Sequence, residues 1–154
     1  LQMFNHGLSA AGMFFLVGVL YDRTHTRMLD NFGGLFAIVP VYGAILLLMS
    51  MASLGLPGLN GFVSEFMIVR GTWPILMAFT AISMIGLLFT GVYVLKALKL
   101  VLHGPLNEQW AGKVNDISLR EIFVVTPLIL MILSIGIWPA WIVEVINRAV
   151  MAWL

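Results

Sequence analysis

The sequence has no cysteine and few charged residues, and these two shortages exclude several classes of protein. Without a thiol the chain forms no disulfide framework, cysteine-ligated metal site or cysteine redox centre. Charged residues make up only 10% of the chain and hydrophobic residues 61%, whereas soluble domains have about 25% charged residues. A soluble globular domain and a disordered tail are both excluded, because each needs more polar residues. The sequence therefore predicts an integral membrane protein.

A strongly basic region is also lacking, since 8 Lys and Arg residues face 7 Asp and Glu residues for a net charge of +1. The chain thus offers no basic surface that would recruit nucleic acid. It has no Gly-rich phosphate loop after a strand, no metal-ligand spacing and no nucleophile elbow. Its composition indicates no cofactor or metal bound to this chain.

Apolar stretches recur along the chain, each long enough to cross a bilayer at about 20 residues. Four spans are predicted, at residues 1–20, 35–70, 74–102 and 118–138. The fourth span has a well-defined start, because Ser118 followed by Glu121 forms a capping-box pattern. These spans and the loops between them predict an all-α integral membrane fold with about four transmembrane helices.

The second span is too long to be one regular helix. Its 36 residues would extend about 54 Å as a straight helix, well beyond a hydrocarbon core of about 30 Å. Residues 54–61 contain three Gly and one Pro, which a regular helix does not tolerate. We therefore predict that the second transmembrane helix is discontinuous.

Residues 139–154 differ from the spans, because polar and apolar residues lie on opposite helical faces. The polar face carries Glu144, Asn147 and Arg148, and the apolar face carries Trp141, Val145, Ala149, Val150 and Trp153. This pattern is typical of an amphipathic helix in the membrane interface. The predicted organisation is a transmembrane bundle over residues 1–138 and an interfacial amphipathic helix over residues 139–154.

The basic residues indicate an orientation. If the discontinuous helix is a single crossing, the loops at residues 21–34 and 103–118 share a side. That side holds six of the eight basic residues, namely Arg23, Arg27, Lys96, Lys99, Lys113 and Arg120. Cytoplasmic loops carry the excess of Lys and Arg, so these loops are predicted to be cytoplasmic and the C-terminal helix to lie on the outer face. A full hairpin at residues 54–61 would remove this bias.

Glu65 is the main candidate for chemistry, because it is a carboxylate in an apolar span just after the interruption. An acidic residue at the centre of a membrane helix costs about 2.5 to 3.5 kcal/mol, so it usually faces a bundle interior or a polar cavity. Transporters build ion sites at discontinuous helices. We interpret Glu65 as a proton-transfer residue. The alternatives are an ion pair with Arg70 or a side chain that reaches the interface.

His6 and Lys99 are further candidates. His6 lies 15 residues from Tyr21, about 22 Å along a helix, which predicts a depth similar to that of Glu65. Two titratable groups at one depth are able to share a proton path, although a packing role for His6 stays open. Lys99 and Lys96 lie near a helix end, where their side chains either reach water or take part in a relay.

Four segments resemble one family closely: residues 5–11 (NHGLSAA), 20–27 (LYDRTHTR), 54–58 (LGLPG) and 61–66 (GFVSEF). They resemble the C-terminal part of the chain 4 (M-type) antiporter-like membrane subunit of respiratory complex I, the proton-translocating NADH:quinone oxidoreductase. The resemblance implies a broken helix with a key ionisable residue, which is Glu in M-type subunits and matches Glu65. His6 matches the histidine of the family's eleventh helix. Lys99 falls near a basic position of the thirteenth.

The resemblance also implies a function and its setting. The expected activity is proton translocation, coupled to quinone reduction in other subunits of an oxidoreductase complex. NADH, FMN, iron–sulfur clusters and quinone are then expected on those subunits, with no cofactor on this chain. The expected partners are the other membrane subunits, including neighbouring antiporter-like subunits, together with lipid and protons. The expected location is the bacterial plasma membrane or an equivalent energy-transducing membrane.

Two other readings stay open at this point. One is a subunit of an Mrp-type sodium/proton antiporter or of a membrane-bound hydrogenase, which share the fold. The other is a purely structural membrane subunit, in which Glu65 would be paired and inert. The family's other essential groups, a Glu in the fifth helix and Lys residues in the seventh and eighth, would precede residue 1. The sequence is therefore expected to be part of a longer protein.

Overall fold

The computed structural model describes residues 1–152, which form α-helices joined by loops, without a strand in that range. The α-helices are α1 (Gln2–Thr24), α2 (Pro40–Ser53), α3 (Asn60–Thr72), α4 (Met77–Leu102), α5 (Leu119–Ile137) and α6 (Ala140–Met151). Short 3-10 helices lie at Leu29–Asn31, Leu35–Ala37 and Glu108–Trp110. By length and composition, α1, α4 and α5 are able to cross a membrane. Trp153, assigned from the sequence to the amphipathic helix, lies outside the described residues.

The capping box predicted at the start of α5 is confirmed. The Ser118 hydroxyl accepts a hydrogen bond from the Glu121 backbone N–H at 3.3 Å, and the Glu121 carboxylate accepts one from the Ser118 N–H at 2.7 Å. Two backbone donors of the first turn are thereby satisfied. The predicted end of this span is also confirmed, because α5 ends at Ile137.

The first helix is longer than the sequence indicated. Residues 21–24 were predicted to belong to a polar loop, and this boundary is wrong, since α1 continues to Thr24. The polar side chains at this end bond to carbonyls of the helix itself: Thr24 Oγ1 donates to Leu20 O at 2.9 Å, and Arg23 donates to Val19 O at 2.7 Å. A polar residue at a helix end therefore does not by itself end the helix.

The predicted interruption separates α2 from α3. Helix α2 ends at Ser53 and is followed by Gly55 with a φ of 70°. The Leu56 N–H donates to Met51 O at 3.1 Å and the Gly55 N–H to Ala52 O at 3.3 Å. This pair of bonds is a Schellman motif, which needs a left-handed residue that glycine adopts without strain. The break is thus a defined helix end rather than an irregular kink.

Helices α2 and α3 follow one direction along α1. In chain order, the contacts with α1 are Tyr42 with Leu16, Ser50 with Met13, Asn60 with Asn5, and Ser64 with Gln2. Each step moves closer to the N-terminus of α1. The two half-helices therefore form one interrupted segment antiparallel to α1, rather than a hairpin that folds back at the break.

The predicted polar loop before α5 is exposed over much of its length, and its last residues dock against the helices. Its Val114 and Ile117 side chains are buried. The Asp116 carboxylate accepts bonds from the Val41 and Tyr42 backbone N–H groups, both at 2.9 Å, and so caps the N-terminus of α2. The sequence did not indicate this docking, because the contact joins residues about 75 positions apart in the chain.

The Arg23 guanidinium joins the end of α1 to the start of α5. It donates to both carboxylate oxygens of Glu121, at 3.0 and 2.8 Å, and to the Asn115 carbonyl at 3.0 Å. Two parallel N–H···O bonds of this kind fix geometry as well as contribute energy. Together with Asp116, this ion pair ties α1, α2 and α5 at one end of the bundle.

Helices α4 and α6 are both largely exposed but differ in character. Helix α4 has nearly all of its length exposed, including Phe79 and Leu88. Helix α6 has Ile142 buried and carries an i,i+4 ion pair between Glu144 and Arg148 at 2.5 Å on its exposed face. Such an exposed pair contributes only about 0.2 to 0.5 kcal/mol.

Candidate functional site

Glu65 is the sixth residue of α3, and its side chain folds back onto the break. The carboxylate lies against the backbone of Gly55, one residue beyond the C-cap of α2. Helical side chains tilt toward the N-terminus of their helix, which brings this carboxylate back to the preceding turn and the interruption. The side chain is half-buried. The interrupted helix therefore holds an ionisable group at the junction of its two halves.

Glu65 lines a small cavity of about 20 Å³ between α1 and the break. The lining residues are Gln2, Asn5, His6, Ser9, Ala52, Ser53, Gly61 and Glu65. A cavity needs about 10–15 Å³ of such volume, and two to four polar partners, to hold one water molecule. This cavity satisfies both conditions. The cavity is therefore a polar site, large enough for one water molecule, in an otherwise apolar bundle.

A pair of buried amides joins α1 to the start of α3. Asn5 Nδ2 donates to the Asn60 carbonyl at 2.7 Å and to Ser64 Oγ at 3.0 Å. In return, Asn60 Nδ2 donates to the Asn5 carbonyl at 3.2 Å. Asn5 is 1% exposed and Asn60 0%. The reciprocal bonds, which we call the amide pair, fix the register between the two helices that carry His6 and Glu65.

Each side chain of the amide pair has an oxygen atom that accepts no hydrogen bond within residues 1–152. The Oδ1 atoms of Asn5 and Asn60 are buried and have no hydrogen-bond partner among the described residues. Most buried polar atoms in proteins are bonded, so two unbonded oxygens in one pair are unusual. Asn5 also lines the cavity shared with Glu65. Asn5 therefore places an unpaired amide oxygen next to the cavity, whereas Asn60 does not line it.

The structure brings His6 to Glu65 but not Lys99. His6 lines the same cavity as Glu65, which agrees with the similar depths expected from counting along the helices. Lys99 lies in the last turn of α4, is exposed, and does not line this cavity. Arg70 lies in the last turn of α3 and, within residues 1–152, forms no ion pair with Glu65.

Several residues of the site were not singled out by the sequence. These are Gln2, Asn5, Gly55, Asn60 and Ser64, which either bond across the α1–α3 contact or lie against the carboxylate. A signal for the two amides exists, because Asn is rare in apolar spans and usually bonds to a neighbouring helix there. Nothing in one sequence, however, indicates which partner each amide bonds.

The site has no indication of a metal. Across the part of the chain that the structure describes, no three His, Asp or Glu side chains come together as metal ligands do. What the arrangement offers is a carboxylate and an imidazole on one polar cavity. Groups of these types accept and release protons.

Comparison with known proteins identifies relatives over most of the chain. The family model described as "NADH:quinone oxidoreductase/Mrp antiporter, TM" matches residues 1–92. NADH-quinone oxidoreductase subunit M of Escherichia coli K12 is 38% identical over 151 residues, covering 97% of this chain and 30% of that protein. NAD(P)H-quinone oxidoreductase chain 4 2 of Picosynechococcus is 38% identical over 156 residues, covering 94% and 29%. The chain therefore spans about 30% of the length of these relatives.

A comparison of folds also identifies a similar solved structure. A chain in respiratory complex I from Thermus thermophilus with bound NADH is similar with a TM-score of 0.83 and 27% sequence identity. The match covers 89% of this chain and 28% of that one. Sequence and fold therefore agree in their relatives. The chain is an integral membrane protein of the NADH:quinone oxidoreductase/Mrp antiporter family and belongs to its M-type, or chain 4, antiporter-like subunits.

Proposed function

We propose that this chain contributes a terminal proton-transfer site to proton translocation by an M-type subunit of NADH:quinone oxidoreductase. Glu65 takes up and releases the proton, and His6 exchanges protons with it across the shared cavity. The observation that carries this proposal is the position of Glu65 at the helix break, on one polar cavity with His6. Discontinuous helices are where membrane transporters place their ion-handling groups.

The surroundings of Glu65 support a role in proton transfer rather than a purely structural role for its carboxylate. Charged side chains within membranes commonly pair with one another, and in the described residues Arg70 does not pair with Glu65. Its neighbours are instead polar and include an unbonded amide oxygen. A water molecule in the cavity would connect Glu65 to His6, because two groups beyond direct reach exchange protons through one bridging water.

The energy for translocation is proposed to come from other subunits. NADH, FMN, the iron–sulfur clusters and quinone would be bound there, and this chain would couple to their reaction as part of the same complex. This division is supported by the names of the relatives, which are subunits of NADH-quinone oxidoreductases. Neighbouring antiporter-like subunits would be its partners in the membrane.

Lys99 is proposed as an additional proton-transfer group at the other end of the path. It lies at the C-terminal end of α4, away from the cavity of Glu65. A role for Lys99 therefore requires further groups between the two sites. Its position near the predicted cytoplasmic loops would suit proton entry.

The proposed orientation places residues 21–34 and 103–118 in the cytoplasm and α6 on the outer face of a bacterial plasma membrane or an equivalent energy-transducing membrane. Two observations support it. The two loops contact each other, since Asn107 and Gln109 both donate to the Asn31 carbonyl at 2.9 and 2.8 Å. Most of the basic residues lie on or near these loops.

The test is the Glu65→Gln variant in the complete subunit, assembled in its complex. The amide has the shape of the acid but cannot release a proton, so we expect proton pumping per electron to fall while the complex still assembles. Pumping is measured in proteoliposomes together with the rate of quinone reduction. Glu144→Gln, in the exposed pair of α6, is the matched control. Equal pumping by Glu65→Gln and the control would contradict the proposal and favour a structural subunit.

A second candidate is a subunit of an Mrp-type sodium/proton antiporter, because the matching family includes Mrp antiporters. Membrane-bound hydrogenases are a further alternative from the same fold. The source of energy separates these functions. Proton movement that requires NADH or quinone supports the oxidoreductase, whereas proton movement driven by a sodium gradient without electron transfer supports the antiporter.

A further inference from the structure

The space occupied by the Glu65 carboxylate exists because Gly55 has no side chain. A Cβ placed on Gly55 would lie 3.0 Å from Glu65 Cδ and would overlap Oε2 directly. Real Cβ atoms essentially never approach another heavy atom that closely. Any residue other than glycine at position 55 would therefore move the carboxylate.

The backbone at Gly55 cannot easily move out of the way. Its position is fixed by the Schellman bonds from Gly55 to Ala52 and from Leu56 to Met51. These bonds satisfy carbonyl groups at the end of α2, which would otherwise lack partners in an apolar environment. A displacement of Gly55 would break them.

Helix α3 is held just as firmly on the other side of the break. The Cα of Gly61 packs against the Ala52 carbonyl so closely that a Cβ would overlap it. The amide pair of Asn5 and Asn60 fixes the first residue of α3 against α1. Glu65 is one turn further along the same helix. The separation between the Glu65 backbone and Gly55 is therefore set by contacts on both half-helices.

From these contacts we propose that Gly55 is a positioning residue for Glu65. By leaving space at the end of α2, it lets the carboxylate turn toward the cavity that His6 also lines. A side chain at position 55 would displace the carboxylate from its present position on that cavity. The proposal rests on the proposed function of Glu65 as the proton-transfer group.

The test compares Gly55→Ala with Gly58→Ala in the complete subunit within its complex. Both glycines are left-handed, with φ of 70° and 94°, so alanine strains the backbone at both positions. Only at Gly55 does the added methyl group meet the carboxylate, because a Cβ at Gly58 has no atom within 4 Å. We expect Gly55→Ala to lose pumping per electron about as severely as Glu65→Gln, with Gly58→Ala much less affected.

The pH at half-maximal pumping provides a readout that backbone strain alone would not change. We expect it to shift in Gly55→Ala but not in Gly58→Ala, because only the former changes the surroundings of Glu65. The amount of subunit recovered in the purified complex shows whether each variant assembles. Similar pumping and similar pH profiles in the two glycine variants would overturn the proposal.

A double variant tests the cause of the loss. Asp at position 65 is shorter by one methylene and withdraws the carboxylate from the methyl group of Ala at position 55. The double variant Gly55→Ala/Glu65→Asp is therefore expected to lose less than the sum of its two single variants. Strictly additive losses would overturn the positioning role. Normal pumping by Glu65→Gln would instead overturn the proposed function, so the two failures are distinguishable.

Discussion

At the scale of single residues, the amide pair of Asn5 and Asn60 holds α1 against α3. Both side chains are fully buried, and each donates to the other's backbone carbonyl. Small polar side chains between membrane helices commonly bond in this way, with a modest contribution for each bond. Here the pair lies beside His6, so it determines the register in which the histidine meets the cavity of Glu65.

We predict that Asn5→Leu destabilises the protein by about 1–3 kcal/mol, the usual cost of leaving buried polar partners unbonded. The variant removes the donor to the Asn60 carbonyl and to Ser64 Oγ. Thermal unfolding of the complete subunit in detergent measures the effect. Asn147→Leu, on the exposed face of α6, should change the unfolding temperature much less.

The pairing itself is tested by changing both amides. Each side chain donates to the other residue's backbone carbonyl, which remains when the other side chain is replaced. Asn5→Leu/Asn60→Leu should therefore be about as destabilising as the sum of the two single variants. A double variant much less destabilising than that sum would show that the two side chains depend on each other.

The sequence predicted part of this site and missed the rest for a physical reason. Glu65 and His6 stand out as ionisable residues in apolar spans, and their depths follow from counting along helices. Gly55 looked only like a helix breaker, and its contact with the carboxylate depends on how two half-helices pack. Such a contact between residues ten positions apart across a break is not encoded in the local pattern.

At the scale of helices, α5 meets the break at a close backbone contact. Gly136 lies against the Gly58 carbonyl, and a Cβ at Gly136 would also lie 2.5 Å from Leu59 Cα. Glycine lets backbones approach this closely between membrane helices. The end of α5 therefore supports the loop that separates α2 from α3.

We predict that Gly136→Ala separates α5 from the break, at a cost of about 1–3 kcal/mol typical of overpacking. The matched control is Gly12→Ala on α1, whose Cβ would meet the Met49 side chain at 2.6 Å. The end of a methionine side chain moves easily, whereas a backbone carbonyl does not. Unfolding temperatures should therefore fall further for Gly136→Ala. The reverse ranking would show that the contact at Gly58 is loose.

The sequence predicted the ends of helices correctly where the residues at those ends have a strong local preference. The Gly and Pro residues of the interruption and the capping box of Ser118 and Glu121 each placed a boundary correctly. The end of α1 was misplaced, because the polar side chains of Arg23 and Thr24 bond back to their own helix. The start of α2 was also later than the apolar run, at Pro40, where proline favours the first helical turn.

At the scale of the whole molecule, one end of the bundle is tied together by polar contacts. Arg23 pairs with Glu121, Asp116 caps α2, and the Asn31 carbonyl accepts bonds from the side chains that follow α4. The sequence could not predict this network, since its partners lie far apart in the chain. It did indicate which residues share a face, through the distribution of basic residues.

Cysteine labelling tests the orientation, in a complete subunit from which any cysteine outside these 154 residues has been removed, since these residues contain none. Asp30, Lys113 and Asn147 are all exposed. Single variants Asp30→Cys and Lys113→Cys should react with a membrane-impermeant maleimide from the cytoplasmic side, and Asn147→Cys from the outer side. Reaction of all three from one side would contradict the single interrupted crossing or the position of α6.

The cap that Asp116 places on α2 also has a consequence for the synthesis of the protein. Val41 leaves the ribosome 75 residues before its neighbouring acceptor, Asp116, and chains are made from the N-terminus. The first turn of α2 therefore lacks the Asp116 carboxylate as an acceptor until α4 and the following loop have been synthesised. Unpaired backbone N–H groups are costly near lipid. The N-terminal cap of α2 is thus completed only after residue 116 has been synthesised.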